Sequence, residues 1–351
     1  MNSRERILAA VDHKPYDRVP TDIWAVEEVW KKLRAHFGET ADIHALLHID
    51  TIAGVGEKYA GPPLPDLGPD MQTNYWDIRT RRMEYMGGTY WEMCYHPLAA
   101  AQTVDDIEKY RWPKPEWFDL SEMVAAAREK RKTHAVLVGY MAPFFMHNKL
   151  RGLEQSLMDP LLDPDFTHHL MGRITDFLVA HHRRMFEATA GLIDFTQVTD
   201  DLGTQSGPMI SLQTFRTFYR PHIQRCIDLA KEFGLKVFHH DDGSCRAFLP
   251  DLIEMGIDLL NPIQWRCAGM EMDGLKRDFG KDLCFHGAID NQHNLPFGTT
   301  DEVRQNVRDA IDTLAADGTG FILAPCHNLQ AITPVENILA MYDEAWTYGE
   351  M

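Results

Sequence analysis

Apolar and polar residues follow two different rhythms along this chain. From about Thr133 onward, short apolar runs of strand length are separated by longer segments with the spacing of an amphipathic helix. The apolar runs occupy residues 135–138, 193–198, 235–238, 257–260, 283–285 and 321–323. The helical segments between and after them cover residues 164–190, 212–233, 245–255, 300–316 and 334–346. Gly191, Gly234, Gly256 and Gly318 close helices, as a left-handed C-terminal cap requires. Six β–α units of this kind, with residues 18–24 and 89–93 as earlier strands, total eight. The α/β pattern therefore predicts a (β/α)8 TIM-type barrel. An open doubly wound sheet is the rival, but no Gly-x-Gly-x-x-Gly follows the first strand.

The amino-terminal part is irregular. Helices are expected over residues 3–11, 26–37 and 42–48, and Gly61-Pro62-Pro63-Leu64-Pro65 can only be loop. Trp91, Trp112 and Trp117 lie among prolines and charges, which suggests a covering layer rather than a second core. The expectation is one domain over 1–351, with an N-terminal, helix-containing cover and early strands in 1–132 and regular β/α units in 133–351.

Composition narrows the function. Of 351 residues, 44% are hydrophobic, ample for a large buried core. Asp and Glu number 52 against 35 Lys and Arg, and the net charge of -17 disfavours nucleic-acid or anionic-membrane surfaces. No run of about 18 apolar residues occurs, and the polar start Met1-Asn2-Ser3-Arg4-Glu5-Arg6 lacks a signal-peptide core, so a cytoplasmic location is expected. Six cysteines without a Cys-x-x-Cys pair provide no disulfide framework.

Candidate chemistry gathers where the predicted strands end, the functional face of a barrel. In order these ends carry Tyr140, then Asp200-Asp201-Leu202-Gly203-Thr204-Gln205, His239-His240-Asp241-Asp242-Gly243, Asn261-Pro262-Ile263-Gln264, His286, and Cys326-His327-Asn328. His240 and Asp242 are two apart, so on an extended chain both side chains face the same way. One more histidine from another strand completes two imidazoles and a carboxylate, a set that suits catalytic zinc or non-haem iron. Alternatively Asp242 caps a following helix and His240 is its structural neighbour. Asp200 and Asp201 invite acid–base work. Neighbouring strand residues point to opposite faces, which leaves one functional and one structural aspartate, in either order. Cys326 is either a thiolate ligand or an ordinary buried residue.

Ser3-Arg4-Glu5-Arg6, Asp17-Arg18-Val19-Pro20, Leu150-Arg151-Gly152-Leu153-Glu154, Leu249-Pro250-Asp251-Leu252-Ile253, Phe285-His286-Gly287 and Ala324-Pro325-Cys326-His327-Asn328 join the Asp200 and Asn261 motifs in one ordered set. This set resembles the uroporphyrinogen decarboxylase superfamily along nearly the whole chain. The resemblance implies a (β/α) barrel and one of two chemistries: cofactor-free porphyrinogen decarboxylation, or zinc-dependent methyl transfer involving corrinoid proteins and thiols. The decarboxylases carry an Arg-Gln-Ala-Gly-Arg motif that holds substrate carboxylates; here Asp22-Ile23-Trp24-Ala25-Val26-Glu27-Glu28 stands in that region. Glutamates there repel a polycarboxylate that needs arginine forks. The methyltransferase branch shows His-x-Cys and a distant cysteine as zinc ligands. Those positions fall on His240 and Asp242 and on about His327, with Cys326 beside it.

The resemblance thus implies a metal-dependent methyltransferase with a divalent metal, zinc rather than iron, acting on a small molecule with a corrinoid protein as partner. His240, Asp242 and His327 or Cys326 hold the metal. Asp200, Asp201 and His286 are the catalytic candidates, and Tyr140, Gln205, Asn261 and Gln264 the substrate-binding ones. The alternative is a metal-free decarboxylase in which His327 binds a carboxylate.

Overall fold

The computed structural model describes residues 1–85 and 88–350. Seven parallel strands form one curled sheet: β1 (Ile52–Val55), β2 (Ala135–Met141), β3 (Phe195–Val198), β4 (Lys236–His240), β5 (Leu259–Asn261), β6 (Cys284–Ile289) and β7 (Phe321–Pro325), hydrogen-bonded in chain order. Every residue of β5, β6 and β7 is buried, as expected for strands packed on both faces and rich in Leu, Ile and Phe.

The helices between strands begin and end for local reasons. The long helix Pro164–Ala188 starts with a proline where no amide partner is needed, and Asp163 caps it by accepting the Phe166 N–H. Thr299 and Glu302 form a reciprocal capping box on Thr300–Leu314. Gly256, at φ 108°, closes Leu249–Met255 in the left-handed region. The expected helix over 212–233 is helical to Glu232, but it widens over Phe215–Tyr219 just before Pro221, whose ring supplies no N–H.

One expectation about strands is corrected. Residues 89–93 belong to Gly88–Tyr95, which pairs antiparallel with Arg79–Tyr85 in a separate three-stranded sheet with Met71–Thr73. Most residues of Gly88–Tyr95 are exposed, Tyr90, Trp91 and Tyr95 among them, whereas β5, β6 and β7 of the parallel sheet are buried throughout. The parallel strand in this part of the chain is instead β1, four residues interrupted by Gly54 and too short to stand out by periodicity. Residues 18–24 run extended between the two edges of the curled sheet. The Asp22 N–H donates to the Leu323 carbonyl of β7 at 2.9 Å, while the Thr21 carbonyl accepts the Asp50 and Thr51 amides just before β1, each at 3.0 Å. Tyr85, the last residue of Arg79–Tyr85, reaches the loop after β7, where its hydroxyl donates to Gln330 Oε1 at 2.6 Å.

Candidate metal centre

Strand register assembles the site. Asn261, at the end of β5, lies opposite His240 at the end of β4, and Leu260 opposite Phe285 sets Asn261 beside His286 of β6. Parallel neighbours lie about 4.8 Å apart, so the three side chains meet on one face. His240 Nδ1 is 2.5 Å from Asn261 Oδ1, Asn261 Nδ2 is 2.7 Å from His286 Nδ1, and His286 Nε2 is 3.0 Å from Asp22 Oδ2. Asn261 and His286 are completely buried and Asp22 nearly so.

At the outer end of this line, His240 Nε2 lies 3.8 Å from Asp242 Oδ1 and 3.8 Å from Asp201 Oδ1. His327, in the loop after β7, places Nε2 3.7 Å from Asp242 Oδ2. One potential ligand atom from each of His240, Asp242 and His327 falls within 4.8 Å of the others. Trp24 roofs the group: its ring stacks on His240 at 5.5 Å, tilts over His286 at 6.0 Å and meets His327 edge-on at 6.2 Å. Gln264 fixes Asp242, donating to its Oδ1 at 3.1 Å while accepting the Gly243 N–H at 2.6 Å. The Asp242 carboxyl is pushed up from its ordinary value by burial, against the pull of His240 and His327. Burial lowers His327, opposed by Asp242.

The donors fit a divalent cation. Two imidazoles and a carboxylate converge, Asp201 stands nearby, and among the described residues no lysine or arginine forms an ion pair with Asp201 or Asp242. A cation would neutralise these carboxylates, and the nitrogen–oxygen set suits zinc or iron. His327 Nδ1 accepts the Asn328 N–H at 2.7 Å, so coordination by Nε2 of a neutral ring requires that amide to be released.

The other sequence-derived candidates are distributed differently. Cys326 lies outside the group; its thiol is buried, donates to the Ile263 carbonyl at 3.3 Å, and is pushed far up by burial, opposite to what a thiolate ligand needs. Asp200 is also turned away. Its Oδ1 accepts the Phe145 N–H at 2.8 Å at the start of helix Pro143–Arg151, its Oδ2 has no hydrogen-bond partner among the described residues, and burial holds the carboxyl well above its usual range. Tyr140 lines a cavity of about 370 Å³ together with Gly54, Glu57, His181 and Gln197. Gln205 is exposed, and its main-chain carbonyl accepts the Ala268 N–H at 3.0 Å. Sequence reasoning passed over Asp22 and Trp24 as site residues. They are two apart on an extended segment, so the spacing argument applied to His240 and Asp242 was available for them too. It also passed over Lys149, whose ammonium lies 4.2 Å from the Phe145 ring centroid and is lowered by burial, with Asp201 pulling the other way.

A curled parallel α/β sheet with titratable side chains converging at the carboxyl ends of its strands defines a protein of the barrel-enzyme kind. The family model for uroporphyrinogen decarboxylase (URO-D) matches residues 2–348, and the chain belongs to that family. It is 25% identical over 260 residues to a methylated-thiol–coenzyme M methyltransferase of Methanosarcina mazei, a match covering 71% of this chain and 65% of that relative's length. It is 24% identical over 333 residues to a uroporphyrinogen decarboxylase of Myxococcus xanthus, covering 91% of this chain and 90% of the relative. In three dimensions it superimposes on a methyltransferase from Methanosarcina mazei with a TM-score of 0.65 at 17% identity, covering 99% of each chain. No helix among the described residues is long and apolar enough to cross a membrane.

Proposed function

We propose that this protein is a metal-dependent methyltransferase of the uroporphyrinogen decarboxylase family, moving a methyl group to or from a small molecule. The observation that carries the reading is the convergence of His240, Asp242 and His327 within 4.8 Å. Similarity to a methylated-thiol–coenzyme M methyltransferase supports the reaction class. These three residues would hold the divalent ion, zinc in this reading. When bound, the ion supplies Lewis acidity that lowers the pKa of a coordinated hydroxyl or thiol.

The chain's own groups divide the remaining work. Asp201, beside His240, is placed to take the acceptor's proton. Gln264 holds Asp242, and Trp24 keeps water from the inner face of the imidazoles. Asn261 and His286, fully buried, support His240 rather than touch substrate. Methyl delivery by a corrinoid on a separate protein completes the reading. Structurally, residues 18–24 take the eighth barrel position, and the hairpin that meets Gln330 is part of a cover within one domain.

The second reading is a uroporphyrinogen-type decarboxylase, favoured by the match over 91% of the chain. Two observations count against it: no arginine occurs in residues 22–30, and Trp24 lies across the three histidines. The test is elemental analysis after purification without chelators and reloading with zinc or iron, together with a uroporphyrinogen assay. One equivalent of metal per chain, lost in His240→Ala, and no turnover of uroporphyrinogen are expected. Metal-free protein that turns over uroporphyrinogen at about 1 s⁻¹ or faster refutes the methyltransferase reading.

A further inference from the structure

The line Asp22–His286–Asn261–His240 has a direction, set at its buried end. Asp22 Oδ1 accepts the Ile23 N–H at 2.8 Å and the Thr51 hydroxyl at 2.6 Å, and Oδ2 faces His286 Nε2 at 3.0 Å. A carboxylate only accepts, so the His286 proton sits on Nε2. The neutral ring then offers a lone pair at Nδ1, which takes an N–H from Asn261 Nδ2 at 2.7 Å. That orients the Asn261 amide with Oδ1 towards His240 Nδ1, 2.5 Å away, where only an N–H can fit. His240 is left with its Nε2 lone pair facing Asp242 and Asp201.

We infer that Asp22 is a positioning residue which, through His286 and Asn261, fixes His240 as the Nδ1–H tautomer and keeps Nε2 free as a ligand. The nearest carboxylate oxygen of Asp22 reaches His240 only through two other side chains, so its effect is carried by hydrogen-bond polarity. Support of a ligating histidine from behind in this way is worth about 10–100-fold in metal affinity. The part concerning metal affinity rests on the metal reading above; the part concerning the tautomer does not.

The same logic predicts what reverses the line and what restores it. In Asp22→Asn, the fixed Ile23 N–H claims the amide oxygen, so the new NH₂ points at His286 Nε2. His286 must then carry its proton on Nδ1, the Asn261 amide turns over, and His240 is protonated on Nε2. Adding Asn261→Asp moves the carboxylate up the line. The new side chain accepts from both His286 Nδ1 and His240 Nδ1, and His240 Nε2 is free again with every donor matched.

Long-range ¹H–¹⁵N correlation spectra of metal-free protein, at alkaline pH where imidazoles are neutral, report the His240 tautomer directly, assigned by the signals lost in His240→Ala. Chelator competition reports zinc affinity. The expected results are Nδ1–H in wild type, Nε2–H in Asp22→Asn with zinc bound about 10–100-fold more weakly, and Nδ1–H with zinc affinity recovered in the double variant. Nε2–H in wild type overturns the inference even if no variant folds. An unchanged tautomer in Asp22→Asn, or a double variant binding zinc no better than Asp22→Asn, overturns it as well. Wild type with the expected tautomer but no zinc binding refutes the metal reading and leaves the assignment of Asp22 intact.

Discussion

Replacing Asp200 by Asn separates the two adjacent aspartates and gives a result of definite sign. The Asp200 side chain is 2% exposed, accepts one main-chain N–H from Phe145, and is held well above the usual carboxylate range by burial. The folded state therefore retains a proton that the unfolded chain releases near pH 4. A raised carboxyl contributes most below its unfolded pKa, and stability falls as pH rises towards the folded value. For one proton the slope is at most about 1.4 kcal/mol per pH unit, or about 2.7 kcal/mol over two units while Asp200 stays protonated. Asn keeps the acceptor for Phe145, places an N–H where the carboxyl O–H stood, and has no proton to lose. Urea denaturation of wild type and Asp200→Asn, followed by tryptophan fluorescence from mildly acidic to neutral pH, should show the variant gaining on wild type as pH rises. A difference that is flat or shrinks with rising pH refutes a protonated, structural Asp200.

Two further outcomes test the metal centre. Gln264→Leu removes the donor that holds Asp242 and the acceptor for the Gly243 amide. Zinc affinity should fall about 10–100-fold in chelator titration, with the fold retained by circular dichroism. Cys326→Ser should leave metal stoichiometry unchanged in elemental analysis, because the thiol is engaged with the Ile263 carbonyl; loss comparable to that in His240→Ala would make Cys326 a ligand.

Local sequence determined the repeating strands and helices, the helix starts at Pro164 and Thr300, the acidic surface, and the same-side pairing of His240 with Asp242. Each depends on periodicity, capping or charge within a few residues. Tertiary structure decided the rest. Residues 89–93 and β1 are both short, and only their pairing partners tell an antiparallel hairpin from a parallel edge strand. Whether His327 or Cys326 faces Asp242, and whether Asp200 or Asp201 faces His240, depends on which of two adjacent residues is turned inward. A one-residue shift reverses that choice without altering composition or spacing. Asp22 reaches His286, 264 residues away in sequence, because residues 18–24 lie between β7 and β1. Hydrogen bonding between strands distant in the chain fixes that register, and so decides which polar side chains share the inner face.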